Sequence, residues 1–156
     1  MSVLTFGKRH IVKGLDPVAN AFAGTVYSDV VSMKEYSVAR FIIHKGAGAT
    51  GTATITVEAC SDAAGNNPVA VPFQYQAYTG ADDLPGAVAA ATVAGFTTSA
   101  GASQLYVIEV DSQAMAGKGW VRLKSVEVVA SAVLGGILIE LLGPRYAADI
   151  PNTAIA

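Results

Sequence analysis

The chain has 156 residues and a mass of 15.9 kDa, which suits one domain, because two halves would each approach the size at which a core becomes marginal. Charged residues make up 14% of it, against about 25% in an average soluble domain. Apolar residues make up 52%, enough to offset the entropy of ordering, which excludes a disordered chain. A formal net charge of −2 excludes a global basic field for nucleic acid or anionic lipid.

The cysteine content and the apolar runs of the chain indicate the cellular compartment in which we expect it. Cys60 is the single cysteine, so the sequence excludes an internal disulfide and a Cys-based metal cluster. Residues 1–7 lack the basic start and the long apolar middle of a signal peptide. The most apolar run, residues 132–143, contains Glu140 and is too short to span a bilayer. We therefore expect a soluble, unsecreted protein.

The first 28 residues differ in character from the rest of the chain. Lys8, Arg9, His10 and Lys13 concentrate basic or titratable groups there. We predict an extended N-terminal arm with little regular structure, while a frayed terminus and a short edge strand near residues 10–12 stay open as alternatives. The predicted boundaries are 1–28 for the arm, 29–146 for a β-sandwich domain and 147–156 for a C-terminal tail.

From residue 29 onward, short strands are separated by turn signals. In residues 37–45, Ala39, Phe41 and Ile43 alternate with Arg40 and His44. In residues 52–60, small apolar residues alternate still more regularly with threonines and Glu58. Further strands are predicted over residues 73–79, 88–98, 105–111, 120–130 and 133–142. About eight short strands without a long helix predict an all-β fold, an antiparallel sandwich or barrel with jelly-roll or Greek-key-like connections.

The apolar face of residues 120–130 changes parity along the strand. Val121 and Leu123 place apolar side chains at odd positions, whereas Val126 and Val128 place them at even positions. A β-bulge near Ser125 would accomplish this change. The bulge would turn Leu123 and Val126 inward and leave the charged side chains facing solvent or a partner, which are those of Arg122, Lys124 and Glu127.

Two loops contain glycine patterns with a known structural meaning. Residues 46–51 match G-x-G-x-x-G, but a dinucleotide site needs a helix next, and a β-rich run follows instead. We therefore interpret this segment as a flexible hairpin loop. Residues 112–117 predict a single helical turn, capped by Asp111 or Ser112 and closed by Gly117.

The titratable residues form no catalytic pattern. His10 and His44 lack zinc-ligand spacing, the chain has no G-x-S-x-G elbow, and the adjacent Asp82 and Asp83 point apart in an extended chain. Cys60 has no basic neighbour in sequence that would activate its thiol. We expect no enzyme activity, no metal and no cofactor, and we interpret these residues as surface, turn and core positions.

Five segments of the chain together resemble a known family. They are residues 29–36, 51–58, 62–65, 105–111 and 141–146, which read DVVSMKEY, GTATITVE, DAAG, LYVIEVD and LLGPRY. Over residues 10–146 the pattern resembles small virion proteins encoded among the head genes of tailed bacteriophages and prophages, of the capsid decoration or cement type. The family's loop before the Trp120 strand is often acid-rich, whereas residues 113–117 of this chain are neutral.

The resemblance implies a structural virion protein on the outer surface of a phage head. Such a protein binds the major capsid protein, stabilises contacts between its subunits and is made in the cytoplasm of the bacterial host. The low charge suits a surface covered by other subunits, and we expect neither nucleic acid nor a membrane as a partner. The arm would dock on the capsid through Lys8, Arg9 and Lys13. Deleting residues 1–13 should then weaken capsid binding and leave the sandwich folded.

The last predicted strand is apolar on both of its faces. One set of side chains, Ile137, Ile139 and Leu141, can fill the core. The other set therefore needs cover, from a loop of the same chain or from another subunit, since leaving each leucine in water would forgo about 1.5–3 kcal/mol. We expect a closed homo-oligomer, a trimer first and a dimer as the alternative, in which a second subunit covers this set. The predicted self-association residues are Leu138, Glu140 and Leu142.

A carbohydrate-binding jelly-roll module is the alternative function. Trp120, Tyr106 and Tyr78 would then form a surface platform on which a sugar stacks. Exposed aromatic side chains around a concave polar patch would favour this function, and aromatic side chains buried beneath a flat apolar surface would favour a shell protein. A small sandwich-fold enzyme is a third interpretation, for which the sequence offers no catalytic constellation.

Overall fold

The computed structural model describes residues 8–145 of the chain. Within this range, segments in which apolar and polar residues alternate form β-strands. The strands are β1 (Arg9–Val18), β2 (Thr25–Tyr27), β3 (Val31–Ser32), β4 (Tyr36–Lys45), β5 (Thr52–Cys60), β6 (Val69–Val71), β7 (Phe73–Tyr78), β8 (Ala89–Ala91), β9 (Phe96–Thr97), β10 (Gln104–Asp111), β11 (Trp120–Val129) and β12 (Gly135–Pro144). Across those residues, no helix has the length and apolar character needed to cross a membrane.

The strands pair antiparallel in two sheets. Sheet A has the order β1-β12-β4-β10-β7-β8, and sheet B has the order β2-β11-β5-β6, with β3 added to β11 and β9 added to β5. Along these two paths only β7–β8 and β5–β6 are consecutive in sequence, so most connections pass from one sheet to the other or cross over strands. The predicted all-β antiparallel sandwich is confirmed.

The chain has more strands than the predicted eight because several are only two or three residues long. The predicted strand over residues 88–98 is one example, since it divides into β8 in sheet A and β9 in sheet B. Gly95 causes the division: its φ of +75° turns the chain, and a side chain there would collide with the Ile55 carbonyl.

The core lies between the two sheets. Ala39, Phe41 and Ile43 of β4 are buried against Ile55 and Val57 of β5, as the sequence alternation predicted. Residues 46–51 connect β4 to β5 and therefore join the two sheets, so their prediction as a hairpin loop is wrong. Gly51 lets this connection pack closely on the chain before β12, since a Cβ on Gly51 would stand 2.6 Å from the carbonyl oxygen of Ser131.

The N-terminal segment is a strand of sheet A and not a free arm. β1 pairs with β12 from Arg9 to Val18, and Val12 lies in the core with 3% of its surface exposed. β2 also falls within the predicted arm and pairs with β11. The predicted lack of regular structure is wrong for these strands. The charged side chains of Arg9 and Lys13 in β1 point away from the core and do not oppose pairing, and β2 consists of uncharged residues. Residues 1–7 and the predicted tail over 147–156 lie outside the described residues.

The predicted β-bulge at Ser125 is wrong. The register between β11 and β5 runs without a shift as far as Glu127, and the irregularity lies between Glu127 and Val129. Ser125 is therefore buried, and Val126 faces outward with 37% of its surface exposed. The wrong prediction came from Glu127, a charged residue at a position of β11 that continues the series of inward-facing side chains. Its carboxylate accepts a hydrogen bond of 2.9 Å from the Gly24 N–H.

The predicted helical turn after β10 is confirmed as a 3-10 turn at Ser112–Ala114. Asp111 is its cap, since the Asp111 carboxylate accepts a hydrogen bond of 2.7 Å from the Gln113 N–H. Gly117 then leaves the turn with a φ of +76°, a conformation that favours glycine. The turn leads the chain from β10 in sheet A to β11 in sheet B.

Candidate interaction surface

The outer face of sheet A carries the residues expected to dock on a capsid together with those expected to self-associate. Arg9 of β1 lies opposite Leu142 of β12, and Lys13 lies opposite Leu138. Because alternate residues of paired strands share a face, the two predicted sets form one surface. Lys8 is exposed just before β1.

A network of charges crosses the middle of this face. Glu140 accepts hydrogen bonds of 2.9 Å from Arg9 through one carboxylate oxygen and from Arg40 through the other. Arg40 also donates a hydrogen bond of 2.7 Å from its Nε to Glu109. Burial opposes the charge of Arg40, but the hydrogen bonds and negative charges of Glu109 and then Glu140 outweigh it and raise the Arg40 pKa. Glu140 is thus covered by two arginines of its own chain.

Apolar side chains surround the charge network. Leu138 lies opposite Ile42 of β4, which lies opposite Val107 of β10, and Leu138 is 48% exposed. The sequence analysis did not predict that several of these apolar residues belong to an interaction surface. The alternation of β4 and β10 could have shown it, because these residues occupy the outward positions between core residues. They are Val38, Ile42, Leu105 and Val107.

A groove of about 330 Å³ opens beside Leu138 on the same face. Gly136 occupies an outward position of β12 beside it, where a Cβ would stand 3.0 Å from the Leu15 carbonyl oxygen and 3.2 Å from the Pro17 ring of β1. The walls come from β1, β4 and the start of β12, and the lining includes Lys13, Pro17, His44, Leu134 and Leu138. The outer face of sheet A therefore has a protruding leucine next to a largely apolar recess.

The outer face of sheet B is polar by comparison. Glu58 is nearly buried there, because Arg122 donates two hydrogen bonds of 2.9 and 2.7 Å to it and Lys124 lies 3.3 Å away. The guanidinium of Arg122 also lies 4.0 Å above the ring centroid of Tyr27, in cation–π contact. Half-buried threonines extend along β5 beside these groups, at Thr52, Thr54 and Thr56.

The aromatic platform expected for sugar binding is not formed. Tyr106 is buried in the core, where its hydroxyl donates to the Gln104 side chain at 3.0 Å. Tyr78 lies opposite the outward-facing Leu105 in sheet A, whereas Trp120 lies opposite Cys60 in sheet B. Because the three rings belong to different layers of the sandwich, they cannot stack on one sugar, and that prediction is wrong.

The remaining titratable candidates occupy separate places. The His10 ring lies 6.4 Å from the Tyr36 ring, whereas His44 is exposed beside the groove. Cys60 is buried, and this burial raises the pKa of its thiol. Asp82 accepts a weak hydrogen bond of 3.4 Å from Leu84 in an exposed turn. Within residues 8–145, no three His, Cys, Asp or Glu side chains are grouped as metal ligands.

One buried charge was not singled out from the sequence. Lys45, at the end of β4, is only 2% exposed, and its ammonium group donates to three oxygen atoms. These belong to the Gly51 carbonyl at 3.2 Å, the Ser99 carbonyl at 2.8 Å and the Gln104 side chain at 3.2 Å. Desolvation lowers the pKa of Lys45. Its three donors are all used within the chain, so Lys45 joins two loops to the sheet.

Comparisons with known proteins find a distant structural likeness. No protein-family model matches the chain, and no curated protein matches it. Among solved structures, it is similar to the SPBc2 prophage-derived protein YomS, with 12% sequence identity and a TM-score of 0.47. That alignment covers 92% of this chain and 100% of the YomS chain.

Proposed function

We propose that this protein is a capsid decoration or cement protein of a tailed bacteriophage, which binds the outer surface of the head and stabilises contacts between major capsid subunits. The observation that carries the proposal is the outer face of sheet A, where apolar side chains surround a paired charge network and Leu138 is half-exposed. Exposed apolar surface of this kind is typical of chains that work within an assembly. The resemblance of residues 10–146 to small virion proteins supports a phage head as that assembly.

The capsid contact belongs, in this proposal, to the margin of sheet A formed by β1. β1 is an edge strand, and Lys8 and Lys13 are exposed along it. Within residues 8–145 neither lysine makes an ion pair, whereas Arg9 is held by Glu140. The two lysines are therefore available to carboxylates on the capsid surface, and they refine the docking set predicted from sequence.

Co-sedimentation tests the proposed function. The chain is expressed together with the major capsid protein of the same phage genome, and assembled heads are separated on a density gradient. We expect the chain to sediment with the heads in a constant ratio. The double variant Lys8→Glu/Lys13→Glu should lose at least tenfold in apparent affinity, because two attractive contacts become repulsive.

Lys34→Glu is the matched control, since Lys34 is exposed in the bend between β3 and β4, away from the outer face of sheet A. This variant should sediment with heads as the wild type does. A wild-type chain that remains at the top of the gradient while heads assemble would contradict the proposed function. Equal losses for both charge reversals would contradict the assignment of docking to β1.

A further inference from the structure

We infer that the outer face of sheet A is the contact between two copies of this chain, packed face to face about a two-fold axis. The inference goes beyond the proposed function, because such a dimer would form with or without a capsid. It rests on the size of the face, its charge balance and its shape.

The face is large enough for a stable dimer. Its six strands have 10, 10, 10, 8, 6 and 3 residues, and at about 3.3 Å per residue and about 4.8 Å between strands they cover roughly 740 Å². This area is close to the roughly 800 Å² that each partner contributes to a standard protein interface. Two sheets packed in this way would make a four-layer assembly with a second apolar layer between the chains.

The charges of the face favour a second copy as its occupant. Three basic and four acidic residues share it, so the face carries a formal charge of only −1 and a copy brings little net repulsion. Four of them already pair across strands, so each keeps an ion-pair partner when the face is covered. The charged residues are Arg9, Lys13, Asp16, Arg40, Glu109, Asp111 and Glu140.

The shape of the face is self-complementary. Leu138 is 48% exposed and lies beside the groove of about 330 Å³. A two-fold axis passing between the leucine and the groove lets each copy place its Leu138 in the groove of the other. A single flat patch that contacts itself gives a closed dimer, whereas a trimer needs two different patches on each chain. The dimer is therefore favoured over the trimer expected first from the sequence.

Light scattering coupled to size-exclusion chromatography tests the dimer with the full chain and no capsid protein. We expect twice the 15.9 kDa chain mass for the wild type. Leu138→Asp should elute as a monomer, because it places a charge in the apolar groove. Val126→Asp is the matched control on the outer face of sheet B, where Val126 is likewise exposed, and it should remain dimeric.

A second measurement locates the contact even if one charge fails to separate the copies. Leu138→Cys should react with a maleimide at least tenfold more slowly than Val126→Cys, and the native Cys60 is buried and does not interfere. A monomeric wild type would overturn the inference, as would a dimer in which the two introduced thiols react equally fast. Because Lys13 lines the groove that the dimer would fill, docking is measured separately with Lys8→Glu alone, and the two proposals then fail separately.

Discussion

At the scale of single residues, Lys45 shows how a buried charge can stabilise a sandwich without a carboxylate partner. Its ammonium group serves three oxygen atoms, two of which belong to loop carbonyls. Lys45→Met keeps most of the side-chain volume but leaves those carbonyls without this donor. We expect the free energy of unfolding to fall by about 1–3 kcal/mol, measured by urea denaturation at pH 7. Lys34→Met, at an exposed lysine, should change it by less than about 0.5 kcal/mol.

The Lys45 contribution should also depend on pH. Desolvation lowers the pKa of Lys45 in the folded chain below its ordinary value of 10.5. Between the two values the unfolded chain binds more protons than the folded chain, so the cost of burying this charge is present in full below the folded pKa and is relieved as pH rises towards 10.5. The difference in unfolding free energy between wild type and Lys45→Met should therefore shift in favour of the wild type as pH approaches 10.5. A difference that stays constant over this range would contradict a lowered pKa.

Ser125 is a polar residue that lies in the apolar core. It is fully buried, and its hydroxyl oxygen has no hydrogen-bond partner within residues 8–145. Burying an unpaired hydroxyl costs free energy that alanine would not cost. We expect Ser125→Ala to raise the unfolding free energy by about 0.5–1.5 kcal/mol, read from the thermal midpoint and from urea denaturation. A loss of stability would mean that the hydroxyl has a partner after all.

At the scale of elements, β1 should behave as an integral strand. Val12 is buried in the core, whereas its neighbour Ile11 is 56% exposed on the outer face of sheet A. Val12→Ala should cost about 1–3 kcal/mol of unfolding free energy, and Ile11→Ala should cost less than about 1 kcal/mol in the isolated chain. Urea denaturation at low protein concentration measures both. Deleting residues 1–13 should consequently impair folding, contrary to the sequence-based expectation.

The elements that sequence predicted well are those with unbroken alternation. In β4 and β5 every second residue is apolar, so their inner faces could be assigned without a structure. β1 was predicted only as an alternative, a short edge strand near residues 10–12, because charges and Gly14 interrupt its pattern. Glu127 led to the wrong prediction of a β-bulge at Ser125. A charged residue at an inward position gives the same sequence pattern as a bulge that exchanges the inward and outward faces of a strand. Local pattern cannot reveal such pairings with distant residues.

The candidate interaction surface is likewise formed by residues that are far apart in sequence and meet only through strand pairing. Arg9 and Glu140 are 131 positions apart, and their contact follows only from the pairing of β1 with β12. The sequence therefore predicted two separate surfaces from residues that share one. It did predict that Leu138 lacks cover within its own chain, because strand alternation alone placed it opposite the core residues of β12.

At the scale of the whole molecule, the two outer faces differ in chemistry. Threonines and the Glu58 ion pairs lie on sheet B beside the exposed Val126, whereas sheet A has apolar side chains around its charge network. A sandwich whose two outer faces differ in this way has a defined orientation in any assembly. Burial of the apolar side chains of sheet A, among them the half-exposed Leu138, would release free energy.

The same asymmetry predicts that thermal stability depends on protein concentration. If folded chains dimerise and unfolded chains do not, mass action stabilises the folded state as the concentration rises. For a chain of this size, the wild-type Tm should rise by about 2 °C for each tenfold increase, measured by scanning calorimetry over a hundredfold range. The Tm of Leu138→Asp should be independent of concentration, while Val126→Asp should follow the wild type. A wild-type Tm that does not change over this range would mean that the outer face of sheet A remains in contact with water, where its apolar area contributes nothing to stability.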